Sequence, residues 1–236
     1  MKWPSISAVI LAYNEAENLR TLLPAIRQRL SSVTDSYEII VVDSPNSSDT
    51  TAEVCQSHGV KYILQESKGY GGAFKTGIKY ALNDTILVLD ADWSHDPKEI
   101  RPIYELFTSG KYDLVIGSRY TRGGVSNDTR IARMMSKLLN TTMRMVIGVR
   151  ATDISNGYRL YDNSQLRPLQ LQSINYDILQ EVIMKMKINN PELRIGESPI
   201  TFNKRLFGES KRDLWEFVKS YIKTAGRLLK LRFCQP

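Results

Sequence analysis

The chain has 236 residues, of which 42% are hydrophobic and 24% charged, and its formal net charge is +7. These values are typical of a globular protein with one large domain, and they exclude a disordered or fibrous chain. No run of 18 apolar residues occurs and the start, residues 1–4, lacks an apolar leader, so we expect neither a transmembrane helix nor a signal peptide. The two cysteines, Cys55 and Cys234, fit no metal-binding spacing and indicate a reducing compartment.

The positive charge is concentrated in two segments of the second half. Residues 119–150 sum to +6 and residues 201–236 again to +6, so the rest of the chain is net negative. Such segments are typical of proteins that bind nucleic acid, anionic lipid or phosphate-bearing substrates. Because aromatic residues that would stack on bases are not interleaved with these charges, we expect no nucleic-acid partner.

Strands and helices are predicted to alternate through the first half. The apolar runs predict strands at 6–11, 37–42, 60–64, 86–89 and 114–117, with helices between them. Asn14 and Glu17 are predicted to form a capping box at the first helix, and Asp96 and Glu99 a second one before the helix at 100–107. This order predicts an α/β fold with a mostly parallel, doubly wound sheet flanked by helices.

The second half is less regular. A Met-rich basic helix is predicted at 131–147, and it either packs on the core or lies at a membrane surface. A helix at 176–186 and a strand-like segment at 193–202 follow. The last predicted element is an amphipathic helix at about 213–231, either at a membrane interface or packed with its basic face in solvent.

Polar residues follow the predicted strands at their carboxyl ends, where ligands bind in parallel sheets. Asp90 and Asp92 come directly after a buried strand and have no capping role, so a divalent metal with a diphosphate is the favoured explanation and solvated acids the alternative. Asp43 either accepts hydrogen bonds from a nucleoside or begins a turn. Lys68 and the glycine-rich residues 69–72 either approach a phosphate or form a plain turn.

Several motifs in collinear order resemble a known family. They are Ala12–Glu15, Val41–Asp43, Asp90–His95, Gly117–Tyr120 with Gly123 and Gly124, Gly157–Tyr161, and Pro199–Phe202 followed by Arg205, Gly208, Ser210 and Lys211. Together they resemble the inverting family 2 glycosyltransferases of the GT-A type, best of all the dolichyl- or polyprenyl-phosphate mannosyltransferases, over about residues 5 to 230. The resemblance implies a GT-A type, Rossmann-like sheet with a C-terminal amphipathic helix.

The resemblance also implies an organisation and a set of ligands. The chain would be a single domain, in which residues 1–118 bind the nucleotide sugar, 119–211 bind the acceptor and 212–236 form an amphipathic, membrane-surface helix. The donor would be a nucleotide sugar, usually GDP-mannose, the acceptor a lipid phosphate, and the cofactor Mg²⁺ or Mn²⁺. The protein would be cytoplasmic and peripheral at the membrane, alone or through a membrane-protein partner.

Site residues are implied by the same resemblance. The implied donor-binding residues are Tyr13, Glu15, Asp43, Lys68 and Asp90, with Arg205 and Lys211 closing over the phosphates. The implied metal-binding residues are Asp90, Asp92 and Ser94. The implied acceptor-phosphate residues are Arg119, Arg133 and Ser136, and the implied catalytic residues are Asp92 and Arg119.

Departures from the family pattern keep alternatives open. The usual Asp-Asp-Gly-Ser after the second strand is Asp43-Ser44-Pro45-Asn46 here, so a UDP-sugar donor such as UDP-glucose is an alternative to GDP-mannose. A phosphate acceptor is already anionic and needs no general base. An enzyme acting on a sugar hydroxyl would need one, with Asp153 or Glu181 as candidates, and His95 is either structural or in contact with substrate. The non-enzymatic alternative is a basic membrane-binding or nucleic-acid-binding module.

Overall fold

A computed structural model describes residues 4–204, 206–207 and 214–233. Its centre is a seven-stranded sheet in the order β3-β2-β1-β4-β7-β5-β8, in which β7 alone runs antiparallel to its neighbours. A two-stranded parallel sheet, β6-β9, lies beside it. The strands are β1 (Ile6–Ala12), β2 (Tyr37–Asp43), β3 (Lys61–Leu64), β4 (Thr85–Asp90), β5 (Leu114–Ser118), β6 (Val125–Ser126), β7 (Arg159–Asp162), β8 (Ile195–Pro199) and β9 (Thr201–Phe202).

Helices cover both faces of the large sheet. One apolar layer joins alternate residues of β1, β2 and β4 to α1, α2 and α4, and the other layer joins the remaining strand residues to α3, α5, α7 and α8. Because both faces are covered, β1 is apolar and buried at nearly every position, as parallel strands in such folds are. The helices are α1 (Ala16–Ser31), α2 (Thr51–Ser57), α3 (Tyr70–Tyr80), α4 (Ile100–Leu106), α5 (Arg130–Ile147), α6 (Asn163–Leu166), α7 (Ile178–Asn189) and α8 (Leu214–Phe233).

The predicted fold class is confirmed, and the differences in strand arrangement lie in the second half. Strand β7 is absent from the sequence-based prediction, and it separates β5 from β4 in the sheet. The single strand expected at 193–202 divides at Ile200, where the chain leaves the large sheet for the small one. Since β7 and β8 come from the segment 119–211, both predicted halves contribute to one sheet, and their division of labour remains a prediction.

The predicted capping at α1 is wrong. Glu15 is the N-cap residue of α1, and it makes no side-chain capping bond. Asn14 instead adopts φ +55°, and its side-chain oxygen accepts from the backbone N–H of Ser48 at 2.7 Å. Asparagine tolerates this left-handed conformation better than most residues do, so Asn14 cross-links two loops rather than starting a helix.

The second predicted capping box is half right. Asp96 caps the short 3₁₀ turn Pro97–Glu99 through the backbone N–H of Lys98, as expected. The carboxylate of Glu99 accepts from the backbone of Thr201 in β9, and burial raises its pKa. Glu99 therefore ties the turn after β4 to the small sheet.

Helices α5 and α8 are held together on the same side of the sheet. Tyr221 and Leu228 of α8 are buried in the layer that α5 and α7 share. At the end of α8, Arg232 donates to the carbonyl oxygens of Met145 and Val146, each at 2.8 Å, at the carboxyl end of α5 where a cation is favoured. Among the described residues, no helix is both long and apolar enough to cross a membrane.

Candidate active site

The carboxyl ends of three adjacent strands bring the predicted site residues to one edge of the sheet. Ala12 at the end of β1 pairs with Asp43 at the end of β2, and Leu11 pairs with Asp90 at the end of β4. This register follows from the parallel pairing, in which neighbouring strands end at the same side. Tyr13, which directly follows β1, is 42% exposed at this edge.

Asp43 lies at the predicted place but is enclosed by protein donors. Its Oδ1 accepts from the backbone N–H of Ser44 at 2.8 Å and from the hydroxyl of Ser47 at 2.6 Å, and its Oδ2 accepts from the hydroxyl of Tyr62 at 3.1 Å. Burial raises the pKa of the carboxyl, and these hydrogen bonds oppose that effect. Ser44, which replaces the second aspartate of the family pattern, binds Asp43 through its backbone, and Ser47 binds it through its hydroxyl.

Glu15 also lies among protein partners in this corner. It is buried, and its Oε2 accepts from the side-chain amide of Asn18 at 2.5 Å. Its backbone N–H donates to Thr51 at 3.2 Å, which links the start of α1 to α2. Glu15 and Asp43 are therefore both bound by protein partners at the carboxyl ends of β1 and β2.

In the glycine-rich loop before α3, the backbone N–H of Gly71 is bound by protein, which favours the turn over the phosphate contact at that residue. The backbone N–H of Gly71 donates to Ile174 at 2.9 Å. A Cβ on Gly71 would stand 2.4 Å from the carbonyl oxygen of Ser173, and one on Gly69, which has φ +80°, would stand 2.2 Å from that of Ile174. The glycines are therefore required because two backbone segments touch here. Lys68 is exposed beside the loop.

The motif after β4 provides two carboxylates and an unpaired hydroxyl. The Asp90 side chain is 22% exposed, whereas Asp92 is buried and its Oδ1 accepts from the backbone N–H of Ser94 at 3.0 Å. The Ser94 hydroxyl is buried and has no hydrogen-bond partner among the described residues. A buried hydroxyl without a partner is unfavourable, which fits a site that a ligand completes.

This arrangement fits Mg²⁺ or Mn²⁺ better than a metal held by protein alone. The described residues contain no group of three His, Cys, Asp or Glu side chains placed to hold an ion. Mg²⁺ is commonly bound through one or two carboxylates and shares its remaining positions with substrate phosphates and water. Asp90, Asp92 and the Ser94 hydroxyl match that donor set.

His95 is a structural residue in this motif. Its Nδ1 accepts from the backbone N–H of Asp90 at 3.0 Å, and its Nε2 lies 2.9 Å from the side-chain oxygen of Asn156, to which it donates. The buried ring stacks on Tyr158 with 4.8 Å between ring centroids and meets Phe202 edge-on. Both ring nitrogens therefore have protein partners, and His95 fixes the turn that carries Asp92.

Arg119, directly after β5, is clamped by Asp153. The Nε and Nη2 of Arg119 donate to the two Asp153 oxygens at 2.8 Å each, and its backbone N–H donates to the same carboxylate at 2.9 Å. Burial alone would lower the pKa of Arg119, but hydrogen bonds to Asp153 raise it. The guanidinium carbon also lies 5.0 Å from the centroid of the Tyr120 ring and 5.1 Å from that of the Phe202 ring.

Of the other predicted acceptor residues, Ser136 is in contact with Arg119 and Arg133 lies nearby on α5. The Nη2 of Arg119 donates to the Ser136 hydroxyl at 3.3 Å. Arg133 is half-buried and lines a shallow groove of about 340 Å³ with Arg130, Met134 and Lys137. The structure therefore places these cations on one surface beside the Arg119 clamp.

Arg205 and Lys211 lie outside the described residues. The chain on either side of Arg205 is hydrogen-bonded to the turn at residues 90–95, which we call the metal motif because the metal-binding residues are predicted there. Asn203 donates its backbone N–H to the Ser94 carbonyl at 3.1 Å, and Leu206 donates to that of Asp92 at 3.2 Å.

Neither carboxylate considered as a general base is available in this arrangement. Asp153 is fully buried and bound to Arg119. Glu181 is fully buried in an ion pair with Lys185 at 2.7 Å and lies 3.3 Å from Arg227. Burial would raise the pKa of Glu181, but the hydrogen bonds from Lys185 and the backbone of Ser173 and Gln172 hold it below its ordinary value.

Sequence reasoning misses the surroundings of Arg119. It identifies Asp153 only as a candidate base, and Tyr120 and Phe202 only as motif residues. The available signal is that an acid, Asp153, follows an arginine, Arg119, later in the chain, but the chain alone does not indicate that they pair across 34 positions.

Comparison with known proteins relates this chain to one family. The model of the family described as "Glycosyl transferase family 2" matches residues 7–169 of this chain. A dolichol-phosphate mannosyltransferase of Pyrococcus furiosus is 32% identical over 95% of this chain, which spans 64% of that protein's length. A polyprenol monophosphomannose synthase of Mycolicibacterium smegmatis is also 32% identical, over 95% of this chain and 89% of its own length.

Solved structures share the fold. Glucosyl-3-phosphoglycerate synthase from Mycobacterium tuberculosis, in complex with Mn²⁺, UDP and glucosyl-3-phosphoglycerate, superposes with a TM-score of 0.75 at 18% identity, covering 99% of this chain and 81% of that one. Its complex with Mg²⁺ and UDP gives a TM-score of 0.73 at 16% identity, covering 99% and 80%. The family description and the two relatives at 32% identity together show that this chain belongs to glycosyl transferase family 2.

Proposed function

We propose that the protein transfers a sugar, most simply mannose from GDP-mannose, to a polyprenyl or dolichyl phosphate at a membrane surface. The observation that carries the proposal is the state of Asp153 and Glu181, both of which are buried in ion pairs. A sugar hydroxyl needs a general base to become a nucleophile. A phosphate monoester is already ionised near neutral pH, since its second pKa is about 6. A site whose candidate bases are both engaged therefore favours a phosphate acceptor.

Arg119 is the residue we propose to hold that acceptor phosphate. Its Nε and Nη2 are bound to Asp153, while its Nη1 lies 3.8 Å from the half-exposed carboxylate of Asp128. The distance from Nη1 to Asp128 is thus longer than the distances from Nε and Nη2 to Asp153. An acceptor phosphate would compete with Asp128 for this nitrogen, and arginine suits phosphate because its planar guanidinium presents several donors. Ser136 and Arg133 on α5 would complete the acceptor side.

The donor diphosphate is proposed to lie between the metal motif and the cations that follow it. Asp90, Asp92 and Ser94 would hold Mg²⁺ or Mn²⁺, which supplies positive charge that stabilises the departing nucleoside diphosphate. The bonds of Asn203 and Leu206 to the metal motif support a role for Arg205 there, with Lys211 following. Attack by the phosphate opposite the leaving group would invert the anomeric centre, so an α-linked donor would give a β-linked lipid phosphate sugar.

The nucleobase has two candidates. The two relatives at 32% identity are named as a mannosyltransferase and a monophosphomannose synthase, which supports GDP-mannose as the donor. The solved structures contain UDP, which keeps UDP-glucose as a second candidate. The enclosed carboxylate of Asp43 bears on this choice, because the hydroxyls of Ser47 and Tyr62 already occupy its oxygens. We propose that the nucleobase binds at the outer edge of the loop that follows Asp43, next to Tyr13 and Lys68.

The outer face of α5 is the proposed membrane contact. Ile131, Met134, Leu138 and Met145 are each more than 60% exposed on this helix. Arg130 and Lys137 lie beside them. Apolar side chains flanked by cations are the composition of helices that lie in an anionic membrane surface. Since Ser136 of the same helix contacts Arg119, this surface would place a lipid-borne phosphate next to the clamp.

The test is a transfer assay with donors compared in parallel. The protein is incubated with a short polyprenyl phosphate, MgCl₂ or MnCl₂, and either GDP-mannose or UDP-glucose, and the lipid product is measured by mass. A polyprenyl phosphate hexose formed only with metal supports the proposal, and the productive donor identifies the base. Transfer to the corresponding free polyprenol, with none to the phosphate, would refute a phosphate acceptor.

A further inference from the structure

The segment 152–157, which we call the Asp153 loop, joins the two sides of the site. Asp153 and Ser155 bind the guanidinium of Arg119, with the Ser155 hydroxyl 3.0 Å from Nη2. Asn156 binds the ring of His95, which fixes the turn that carries the metal carboxylates. The position of this loop therefore sets where Arg119 stands relative to the metal motif.

Arg159 lies beneath this loop at the start of β7. It is 0% exposed and is the largest fully buried side chain of the described residues. Its Nη2 donates to the carbonyl oxygen of Ile154 at 2.6 Å, and its Nε donates to that of Asn156 at 2.7 Å. Its Nη1 donates to the carbonyl of Leu179 in α7 at 2.9 Å. One side chain thus fastens two carbonyls of the Asp153 loop to a helix.

The charge of Arg159 gives no obvious gain in stability. No carboxylate among the described residues lies within ion-pair distance of it, so its partners are neutral carbonyls and the hydroxyl of Tyr161. Burying a cation is expensive, and well-packed apolar residues in place of buried ionic groups are often neutral or stabilising. What the guanidinium offers is geometry, because its planar fork can reach several carbonyls in fixed directions at once.

We propose that Arg159 is a positioning residue for sugar transfer, which holds the Asp153 loop so that Asp153 fixes Arg119 opposite the metal motif. Arg159 acts through the Asp153 loop and does not touch substrate. The inference rests on the proposed function, since the role given to Arg119 is to hold the acceptor phosphate.

The first test substitutes Arg159 by methionine, which has a long unbranched side chain without donors. Because displacement of a reacting group by about 1 Å costs about 100-fold in rate, kcat/KM for the lipid phosphate is expected to fall by about that factor. The Kd for the nucleoside diphosphate measured without metal is expected to stay within about threefold, because Arg159 has no hydrogen bond to Tyr13, Asp43 or Lys68. Arg194→Met is the matched control. Arg194 is exposed and binds Asp113 where β5 and β8 begin, whereas Arg119 follows the carboxyl end of β5.

A double-mutant cycle separates positioning from general damage. If Arg159 acts through Arg119, adding Arg159→Met to Arg119→Ala lowers kcat/KM no further. Losses that multiply in the double variant would overturn the proposal, as would a fall in Tm with unchanged kcat/KM. If Arg159→Met does not fold, Arg159→Lys takes its place in the same cycle, because lysine keeps the charge but lacks the fork.

A readout that needs no activity keeps this inference distinct from the proposed function. The Nε–H signal of Arg119 in a ¹⁵N spectrum, assigned by its loss in Arg119→Lys, is expected to be protected from exchange by the bond to Asp153. In Arg159→Met that signal broadens or exchanges rapidly while the backbone amide signals keep their dispersion. An unchanged Arg119 signal overturns the positioning role even if lipid transfer is observed. A lost signal supports it even if the acceptor proves to be another phosphate.

Discussion

Replacing Asp153 by asparagine tests whether this carboxylate is a clamp or a base. Asp153 is fully buried and accepts three N–H groups of Arg119 at 2.8–2.9 Å. The amide of Asp153→Asn would retain one oxygen but lose the charge, which leaves a guanidinium that is 9% exposed without its counter-ion. Breaking a buried pair costs about 3–5 kcal/mol. At about 2–4 °C per kcal/mol for a chain of this size, Tm is expected to fall by about 6–20 °C.

Thermal unfolding followed by circular dichroism measures this loss, and the pH dependence of kcat/KM is recorded on the same protein. As a clamp, Asp153→Asn lowers both Tm and kcat/KM but leaves the shape of the pH profile unchanged. Asp128→Asn is the matched control, because Asp128 is also near Arg119, at 3.8 Å, but is half-exposed and should change stability by less than about 1 kcal/mol. An Asp153→Asn variant with native Tm, activity reduced by about 1000-fold or more and a missing acidic limb in the pH profile would identify a general base and refute the clamp.

The metal motif, the buried acid on α7 and the outer face of α5 can each be tested by one substitution. Asp92→Asn is expected to abolish metal-dependent transfer and weaken Mn²⁺ binding measured by electron paramagnetic resonance, with little change in Tm; full activity in magnesium would contradict the metal assignment. Glu181→Gln is expected to lower the free energy of unfolding at pH 7. Because hydrogen bonds lower the pKa of Glu181 in the folded protein, the difference in unfolding free energy from the native protein should shrink as the pH falls below about 4. A difference that does not change with pH would refute this reasoning. Met134→Glu is expected to reduce sedimentation with anionic vesicles by about tenfold while Tm stays native, and undiminished binding would exclude this face of α5 as the membrane contact.

The first half of the fold could be predicted from the sequence because its signals are local. The run at 86–89 is apolar at every position and the run at 6–11 at every position except Ser7, as is typical of strands buried on both faces. The parallel order of these strands then places Asp43 and Asp90 at one edge without any further information. This part of the site was predictable because one topological rule brings its residues together.

Strand β7 and the Arg119 clamp could not be predicted in the same way. β7 has four residues and begins with Arg159, whose charge conceals a position that is fully buried. The pair of Arg119 and Asp153 depends on β7 entering the sheet between β4 and β5, which is a long-range choice that no local pattern expresses. The two alternatives for the glycine-rich loop could not be separated, because glycine permits close approach of any partner, and here the partner is the backbone at Ile174.

The proposed nucleophile is a lipid phosphate that is already ionised. A competition experiment between a lipid phosphate and the corresponding lipid alcohol tests this proposal. The protein, MgCl₂ and radiolabelled GDP-mannose are mixed with equal amounts of a polyprenyl phosphate and the corresponding polyprenol in detergent, in parallel with UDP-glucose, and the labelled lipids are separated by charge. Label is expected to enter only the phosphate-linked product, to be lost when the metal is chelated, and to be severely reduced in Arg119→Ala. Label in the neutral polyprenol glycoside, or equal labelling of the phosphate after chelation, would refute a metal-dependent transfer to the lipid phosphate.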